Sequence, residues 1–164
     1  MTQDITENQV MDWLDEVFDP EIPVVSLVDL GVIRSVKHID GNNWVVKMTP
    51  TYTGCPATQV MALKAEMRLK REGINAKIDI VLSPAWTTDF LTQKGRDKLL
   101  EYGIAPPQES GDSTSLFGKG PTVPCPRCES KNTTMISHFG STACKALYQC
   151  EDCHEPFDYF KCHR

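Results

Sequence analysis

The sequence predicts an α+β fold, in which helices pack on a small mixed sheet and a separate metal-binding β-ribbon follows. Apolar residues recur at helical and at strand spacing in the order α-β-β-α-β-α. A stretch rich in Gly, Pro and Ser comes next, and six of the seven cysteines lie after it. We therefore expect a first domain over residues 1–105, a flexible linker over 106–124 and a ribbon over 125–164.

The first helix is predicted to begin at Thr6. Gln9 lies three residues later, which is the spacing of a capping box. The helix should end at Asp19-Pro20, because proline disfavours helix in the residue before it. Apolar residues form one helical face: Val10, Trp13, Leu14 and Val17.

Two strands are predicted over residues 32–39 and 44–48, which are rich in β-branched and other apolar side chains. Asp40-Gly41-Asn42-Asn43 lies between them and is a hairpin turn signal. A second helix should run from Pro56, which suits a first helical turn, to about Glu72. We expect its buried side to consist of Val60, Leu63 and Met67.

Residues 74–82 alternate between apolar and polar and predict a third strand. Thr87 or Thr88 is expected to cap a last helix, which runs to Leu100 and is ended by Gly103.

The last segment contains two Cys-x-x-Cys turns, one at its start and one further along: Cys125-Pro126-Arg127-Cys128 and Cys150-Glu151-Asp152-Cys153. Each turn can present two thiolates to one ion, and four thiolates complete a closed tetrahedron around zinc. A segment of roughly 40 residues with few core side chains needs such a staple. The spacing predicts a structural Zn²⁺. A single iron in the same four sulfurs is the main alternative, and a redox dithiol is a weaker one.

Cys144 and Cys162 remain outside this set. We interpret them as buried or half-exposed free thiols; the alternative is a second site with His138, His154 or His163. The aromatic run at 157–160 either covers the metal turns or forms an exposed docking patch.

Cys55 lies directly before Pro56, at the predicted N-terminus of the second helix. A thiolate there meets unpaired N–H groups and the positive end of the helix dipole, which favour a nucleophile or metal ligand. The alternative is a capping cysteine with no chemical role. From the local sequence alone, we interpret Asp19, Glu21 and Asp29 as solvated capping residues before turns.

Composition excludes some classes. No apolar run approaches the ~18 residues that span a bilayer, and the N-terminus is polar, so we expect a cytoplasmic protein without a membrane contact. The net charge is −5. Residues 1–121 hold 12 Lys+Arg and 17 Asp+Glu, and residues 122–164 hold 5 of each. The ribbon therefore has no cationic excess, which disfavours nucleic-acid binding.

Three motifs together resemble the SufT-like family of iron–sulfur assembly proteins, over about residues 6–104. They are Asp19-Pro20-Glu21-Ile22-Pro23, Asp29-Leu30-Gly31 and Thr49-Pro50-Thr51 with Gly54-Cys55-Pro56. The tail resembles the PaaD family, accessory subunits of phenylacetyl-CoA epoxidase systems. That likeness rests on residues 139–148, 155–162 and 84–89.

The resemblance implies a protein of phenylacetate catabolism that is not itself the oxygenase. It would assist maturation of a metal centre, either the di-iron site or the iron–sulfur cluster of the reductase subunit. Its partners would be the epoxidase subunits and iron–sulfur assembly proteins. The resemblance also implies that Cys55 handles metal or cluster, with Asp19, Glu21, Asp29 and Thr51 in the motifs around it.

The residues agree in lacking the two Glu-x-x-His motifs of a di-iron bundle and in lacking a dinucleotide fingerprint. A single Cys55 cannot hold a cluster alone, so a transient iron–sulfur cluster or iron needs a second copy, a partner thiol or a small ligand. A non-catalytic structural adaptor and a Cys55-dependent thiol enzyme remain the alternatives.

Overall fold

The computed structural model describes residues 4–108 and 121–161, and the chain divides into two units after Gly95. The first unit contains α1 (Glu7–Leu14), β1 (Ile33–Asp40), β2 (Asn43–Met48), α2 (Thr58–Arg71), β3 (Asn75–Ile80) and a 3₁₀ turn (Thr88–Phe90). Helix α3 (Gln93–Tyr102) spans the division, and the second unit holds β4 (Ile104–Ala105), β5 (Thr133–Ser137), β6 (Lys145–Cys150) and β7 (Pro156–Phe160). The predicted α+β class is confirmed.

Helix α1 begins with the predicted capping box. The Thr6 N–H donates to Gln9 Oε1 at 2.9 Å, and the Gln9 N–H donates to Thr6 Oγ1 at 3.2 Å. The predicted end at Asp19 is wrong, because the helix stops at Leu14. The following residues pair with a distant segment instead: the Leu27 N–H donates to Val17 O at 2.9 Å, and Phe18 bridges Ser26.

The sheet of the first unit has the order β1-β2-β3. Strands β1 and β2 form the predicted antiparallel hairpin, whose turn contains Gly41 at φ +46°. Strand β3 runs parallel to β2 after the crossover through α2. Alternate β2 residues, Trp44, Val46 and Met48, are buried.

The predicted buried side of α2 is wrong. Val60, Leu63 and Met67 are 44%, 56% and 52% exposed, whereas the buried positions are Thr58, Met61, Ala65 and Leu69. Both sets repeat at helical spacing, so periodicity could not decide between them.

The last predicted helix is two elements. A short 3₁₀ turn comes first, and α3 begins only at Gln93. The cap is therefore Thr92, whose Oγ1 accepts the Gly95 N–H at 3.0 Å, and not Thr87 or Thr88. Gly103, at φ +92°, follows the helix as predicted. None of the helices in residues 4–108 and 121–161 is long and apolar enough to cross a membrane.

The second unit is a four-stranded sheet of order β4-β7-β6-β5. Strand β4 pairs in parallel with β7, although residues 104–105 were expected in the first domain. The aromatic run of β7 is buried, at 5% or less exposure for Phe157, Tyr159 and Phe160, so it covers the core and is not a docking patch. Most of the predicted linker, residues 109–120, lies outside the described residues, and the predicted domain bounds stay a prediction.

Candidate functional site

The two Cys-x-x-Cys turns have the same backbone form. The Cys125 N–H donates to Ser130 O at 2.9 Å, and the Cys150 N–H donates to Glu155 O at 3.0 Å. The residue after each second cysteine is left-handed, with φ +63° at Glu129 and +60° at His154. This conformation is uncommon for residues with a side chain. Its occurrence in both turns indicates that each is shaped to aim two sulfurs at one point.

Four sulfurs meet at that point. Cys125 Sγ lies 3.7 Å from Cys153 Sγ, and Cys128 Sγ lies 3.5 Å from Cys150 Sγ. All four lie within 4.8 Å of one another. A tetrahedral ion with bonds of about 2.3 Å to sulfur separates its ligands by roughly 3.8 Å. The arrangement therefore fits a zinc-sized ion with four protein ligands and no open position.

Local hydrogen bonds favour the thiolate form of one of the four cysteines, Cys150. The backbone N–H groups of Cys153 and Asp152 lower the pKa of the Cys150 thiol to about 7. The Ser130 N–H lowers the pKa of the Cys128 thiol, but desolvation and the neighbouring thiols outweigh it and raise that pKa to about 12. Four thiolates so close repel one another, so the full set of charges requires a cation among them.

Polar side chains also join the two turns. The Ser130 hydroxyl donates to Asp152, and Asn132 Nδ2 donates to Asp152 Oδ1 at 2.9 Å. These two hydrogen bonds lower the pKa of the Asp152 carboxyl. Arg127 Nη1 lies 2.6 Å from Glu155 Oε2. The turns are thus tied to each other by contacts that sequence reasoning did not foresee.

The other candidate ligands of the ribbon either are not part of this group or lie outside the described residues. Cys144 is buried at the opposite end of β6 from Cys150, and six residues of strand span roughly 20 Å. Its sulfur lies 3.0 Å from Thr142 Oγ1. His154 is exposed, and within the described residues only the four cysteines form a metal-ligand group. Cys162 and His163 are among the residues that the structure does not describe.

Cys55 is half-buried in the loop between β2 and α2. Its N–H donates to Tyr52 O and its carbonyl accepts the Thr58 N–H, both at 3.2 Å. Helix α2 begins at Thr58, two residues later than predicted, and its N-cap residue Ala57 supplies no side-chain cap. The thiol therefore precedes a helix end whose N-cap residue provides no side-chain hydrogen bond to the first N–H groups.

Two hydroxyls beside this loop are unusual. Thr49 and Thr58 are 1% and 8% exposed, and within the described residues neither Oγ1 has a hydrogen-bond partner. Buried polar groups normally are paired, so each such atom requires an explanation. Thr51 is half-buried in the same loop.

Asp19 and Asp29 are turn acceptors, but they are buried, not solvated. Asp19 Oδ1 accepts the N–H groups of Glu21 at 2.7 Å and Ile22 at 2.8 Å. Asp29 Oδ2 accepts the Ser26 N–H at 3.1 Å, and the Asp29 N–H donates back to Ser26 Oγ at 2.9 Å. The spacing from Ser26 to Asp29 is that of a capping box, a signal in the sequence that was missed.

The Asp29-Leu30-Gly31 motif also packs against the segment that follows β3. Lys94 Nζ lies 3.6 Å from Asp29 Oδ1 and 2.7 Å from Asp15 Oδ2. Gly31 has φ +67°, and a Cβ there would lie 1.9 Å from Phe90 O. These contacts give the motif a structural role, and the predicted support of Cys55 by Asp19, Glu21, Asp29 and Thr51 stays a prediction.

Comparison with known families matches both parts of the chain. Residues 7–83 match a family model described as an iron–sulfur cluster assembly protein. Residues 109–161 match the PaaD zinc β-ribbon domain.

Individual relatives span one part or both. The chain is 47% identical over 156 residues, 94% of this chain and 92% of the relative, to an Escherichia coli K12 protein provisionally named as a subunit of 1,2-phenylacetyl-CoA epoxidase. It is 34% identical to a Porphyromonas gingivalis Fe–S protein maturation auxiliary factor, covering 60% of this chain and 92% of that one. A solved Bacillus anthracis domain of unknown function, DUF59, shares 27% identity at a TM-score of 0.54, covering 57% of this chain and 90% of that domain.

Proposed function

Because this chain belongs to the PaaD family of phenylacetyl-CoA epoxidase subunits, we propose that it is a non-catalytic accessory factor of such an epoxidase. In this role it assists the assembly of a metal centre in a partner protein of the complex. The client is either the di-iron site of the oxygenase or the iron–sulfur cluster of the reductase.

The observation that carries this proposal is the position of Cys55. The thiol lies within the residues that match the iron–sulfur assembly family, half-buried, just before a helix end without a side-chain cap. Thiolates are the ligands of iron–sulfur clusters. Two buried hydroxyls without hydrogen-bond partners in the described structure, those of Thr49 and Thr58, lie in the same stretch of sequence. A single thiol supports brief holding and transfer, not permanent binding.

The ribbon has a different part in this proposal. Its four cysteines bind one structural zinc ion, which leaves no open position for chemistry. The folded ribbon then docks on the epoxidase subunits.

Co-production with the epoxidase subunits tests the proposal. We compare wild type, Cys55→Ser and Cys144→Ser, and measure epoxidase turnover with the iron and sulfide content of the purified oxygenase and reductase. Cys55→Ser should lower the metal content of one of these two as far as omitting the chain does. Cys144→Ser removes a buried thiol outside the Cys55 loop and should leave both values unchanged.

Metal analysis of the chain itself completes the test. Anaerobically purified wild type and Cys55→Ser should each hold one zinc per chain, and only the wild type should take up iron and sulfide. Full client activation by Cys55→Ser would favour the adaptor instead. Turnover of a substrate by the isolated chain, lost in Cys55→Ser, would favour a thiol enzyme.

A further inference from the structure

Helix α2 carries a second apolar stripe on the side opposite its buried face. Val60, Leu63 and Met67 are about half exposed, and Met61, Ala65 and Leu69 are buried. At about 100° per residue, the mean directions of the two sets differ by roughly 170°. A helix that is apolar on two opposite sides has one side still to be covered.

The exposed stripe has heptad spacing. Val60 and Met67 are seven residues apart and Leu63 lies between them, so they occupy positions a, d and a of a coiled-coil seam. Across the two heptads, Glu66 then occupies a flanking g position, and Lys64 and Arg71 occupy the two e positions. Such a seam fits another helix of the same pattern.

Charge selects the direction of that second helix. In a parallel pair of α2 helices, Glu66 at g faces Arg71 at e of the other copy, twice by symmetry. An antiparallel pair would place Lys64 opposite Arg71, also twice, and like charges repel. The parallel pair brings the two Lys70 residues together, but these lie in the last turn, where long side chains extend their ammonium groups into water.

Direction also decides what happens to Cys55. Parallel helices pack with axes about 8–10 Å apart, so the loops before the two N-termini lie at the same end. Antiparallel helices of 14 residues would place those loops roughly 21 Å apart. Only the parallel arrangement can bring two Cys55 thiols near one ligand.

We propose that two copies of this chain pair through the Val60, Leu63 and Met67 stripe of parallel α2 helices, so that both Cys55 thiolates bind one shared iron–sulfur cluster. The inference rests on the proposed function and adds the missing ligand, since one copy has only half of this site. The remaining ligands come from small thiols or from the client.

The pair is weak without the cluster. Three half-exposed side chains and two heptads offer less apolar surface than a stable dimer buries. Concave surfaces extend the contact on both sides of the stripe. One groove of about 720 Å³ is lined in part by Trp44, Leu63 and Ile78, and another of about 290 Å³ by Phe18 and Met67.

Thiol cross-linking of the zinc-loaded, cluster-free full chain tests the pairing. A short bis-maleimide should join wild-type chains, and the product should be absent in Cys55→Ser. Leu63→Glu places carboxylates in the seam and should lower the yield more than about tenfold. Ile136→Glu is the matched control, because Ile136 is also half exposed, at 54%, but lies on β5. Zinc content and circular dichroism verify the fold of each variant.

Charge exchange tests the direction. Glu66→Arg should lower the cross-link, and the double variant Glu66→Arg with Arg71→Glu should restore it. A dimer seen by sedimentation that Leu63→Glu breaks, yet that does not cross-link at Cys55, would be antiparallel and would overturn the proposal. Equal cross-linking of Leu63→Glu and Ile136→Glu would overturn it too.

The pairing and the proposed function can fail separately. Cross-linking is measured without a cluster, so it reports on the seam even if the chain matures no metal centre. Conversely, if client activation needs Cys55 but is unaffected by Leu63→Glu, the proposed function is supported and the pairing of two copies is rejected.

Discussion

The ribbon and the Cys55 loop place cysteine in two opposite settings. The ribbon surrounds one point with four sulfurs held by two matched turns, whereas the loop offers one described thiol before an uncapped helix end. A closed set of four protein ligands leaves no open position on an ion, which is the arrangement of metal sites that support folding. A single ligand must borrow the others, so it suits a cargo that arrives and leaves.

Metal removal should separate the two regions most strongly. Structural zinc contributes about 10–16 kcal/mol in small metal domains, so chelation should unfold the ribbon. Amide hydrogen exchange should show lost protection in β5–β7 and unchanged protection in β1–β3. Cys150→Ser should reproduce the pattern, and Cys55→Ser is the control that should not. If the ribbon amides stayed protected after chelation, the metal ion would not be what holds the ribbon folded.

Lowering the pH should weaken zinc binding by the ribbon, which is the second largest effect that we expect. In the folded ribbon the backbone N–H groups of Cys153 and Asp152 lower the pKa of the Cys150 thiol to about 7, so the thiolate's contribution to stability is fully present above the unfolded value of about 9 and is lost as the pH falls through 7. Because the raised pKa of Cys128 makes that thiol release its proton on metal binding, zinc affinity should fall steeply from pH 8 to pH 6. Competition with a chromogenic chelator measures it. An affinity that does not change with pH would rule out thiolate ligation.

The buried face of α2 provides a smaller test, confined to the first unit. Leu69→Ala should cost about 2–5 kcal/mol, because Leu69 is fully buried. Met67→Ala, on the opposite stripe, should cost less than about 1 kcal/mol in dilute monomer. Urea unfolding of the first-unit signal measures both. Equal losses would mean that the stripe is covered within the monomer.

Gly31 offers the finest test. Gly31→Ala combines a positive φ with a Cβ placed 1.9 Å from Phe90 O and should cost about 2–3 kcal/mol. Gly41→Ala is the matched control, since Gly41 also has a positive φ but nothing within 4 Å, and it should cost about 1 kcal/mol. Thermal unfolding of both variants compares them. A smaller effect at Gly31 than at Gly41 would argue against the close approach to the 3₁₀ turn.

Features set by neighbouring residues could be predicted from the sequence. The Thr6 capping box, the turn at Gly41 and the two Cys-x-x-Cys turns each need only a few adjacent residues. The meeting of the four ribbon sulfurs at one point could be predicted because the sequence spacing of four thiols is itself the signal.

Features set by distant segments could not be predicted. Helix α1 ends early because residues 17–19 pair with residues 25–27. The sequence around Leu14 contains no local signal that would predict this end. The buried state of Asp29 depends on contacts with Lys94 and with the backbone at Gly95, far along the chain. Choosing between the two stripes of α2 needed the position of the sheet.

Each ribbon turn supplies one buried sulfur and one exposed sulfur, Cys125 with Cys128 and Cys150 with Cys153. A bound ion is thus shielded by two ligands and reachable past the other two. We therefore expect a competing chelator or an oxidant to reach Cys128 and Cys153 before it reaches the buried pair. The lifetime of the folded ribbon under oxidative stress should then depend on these two exposed sulfurs more than on the buried pair.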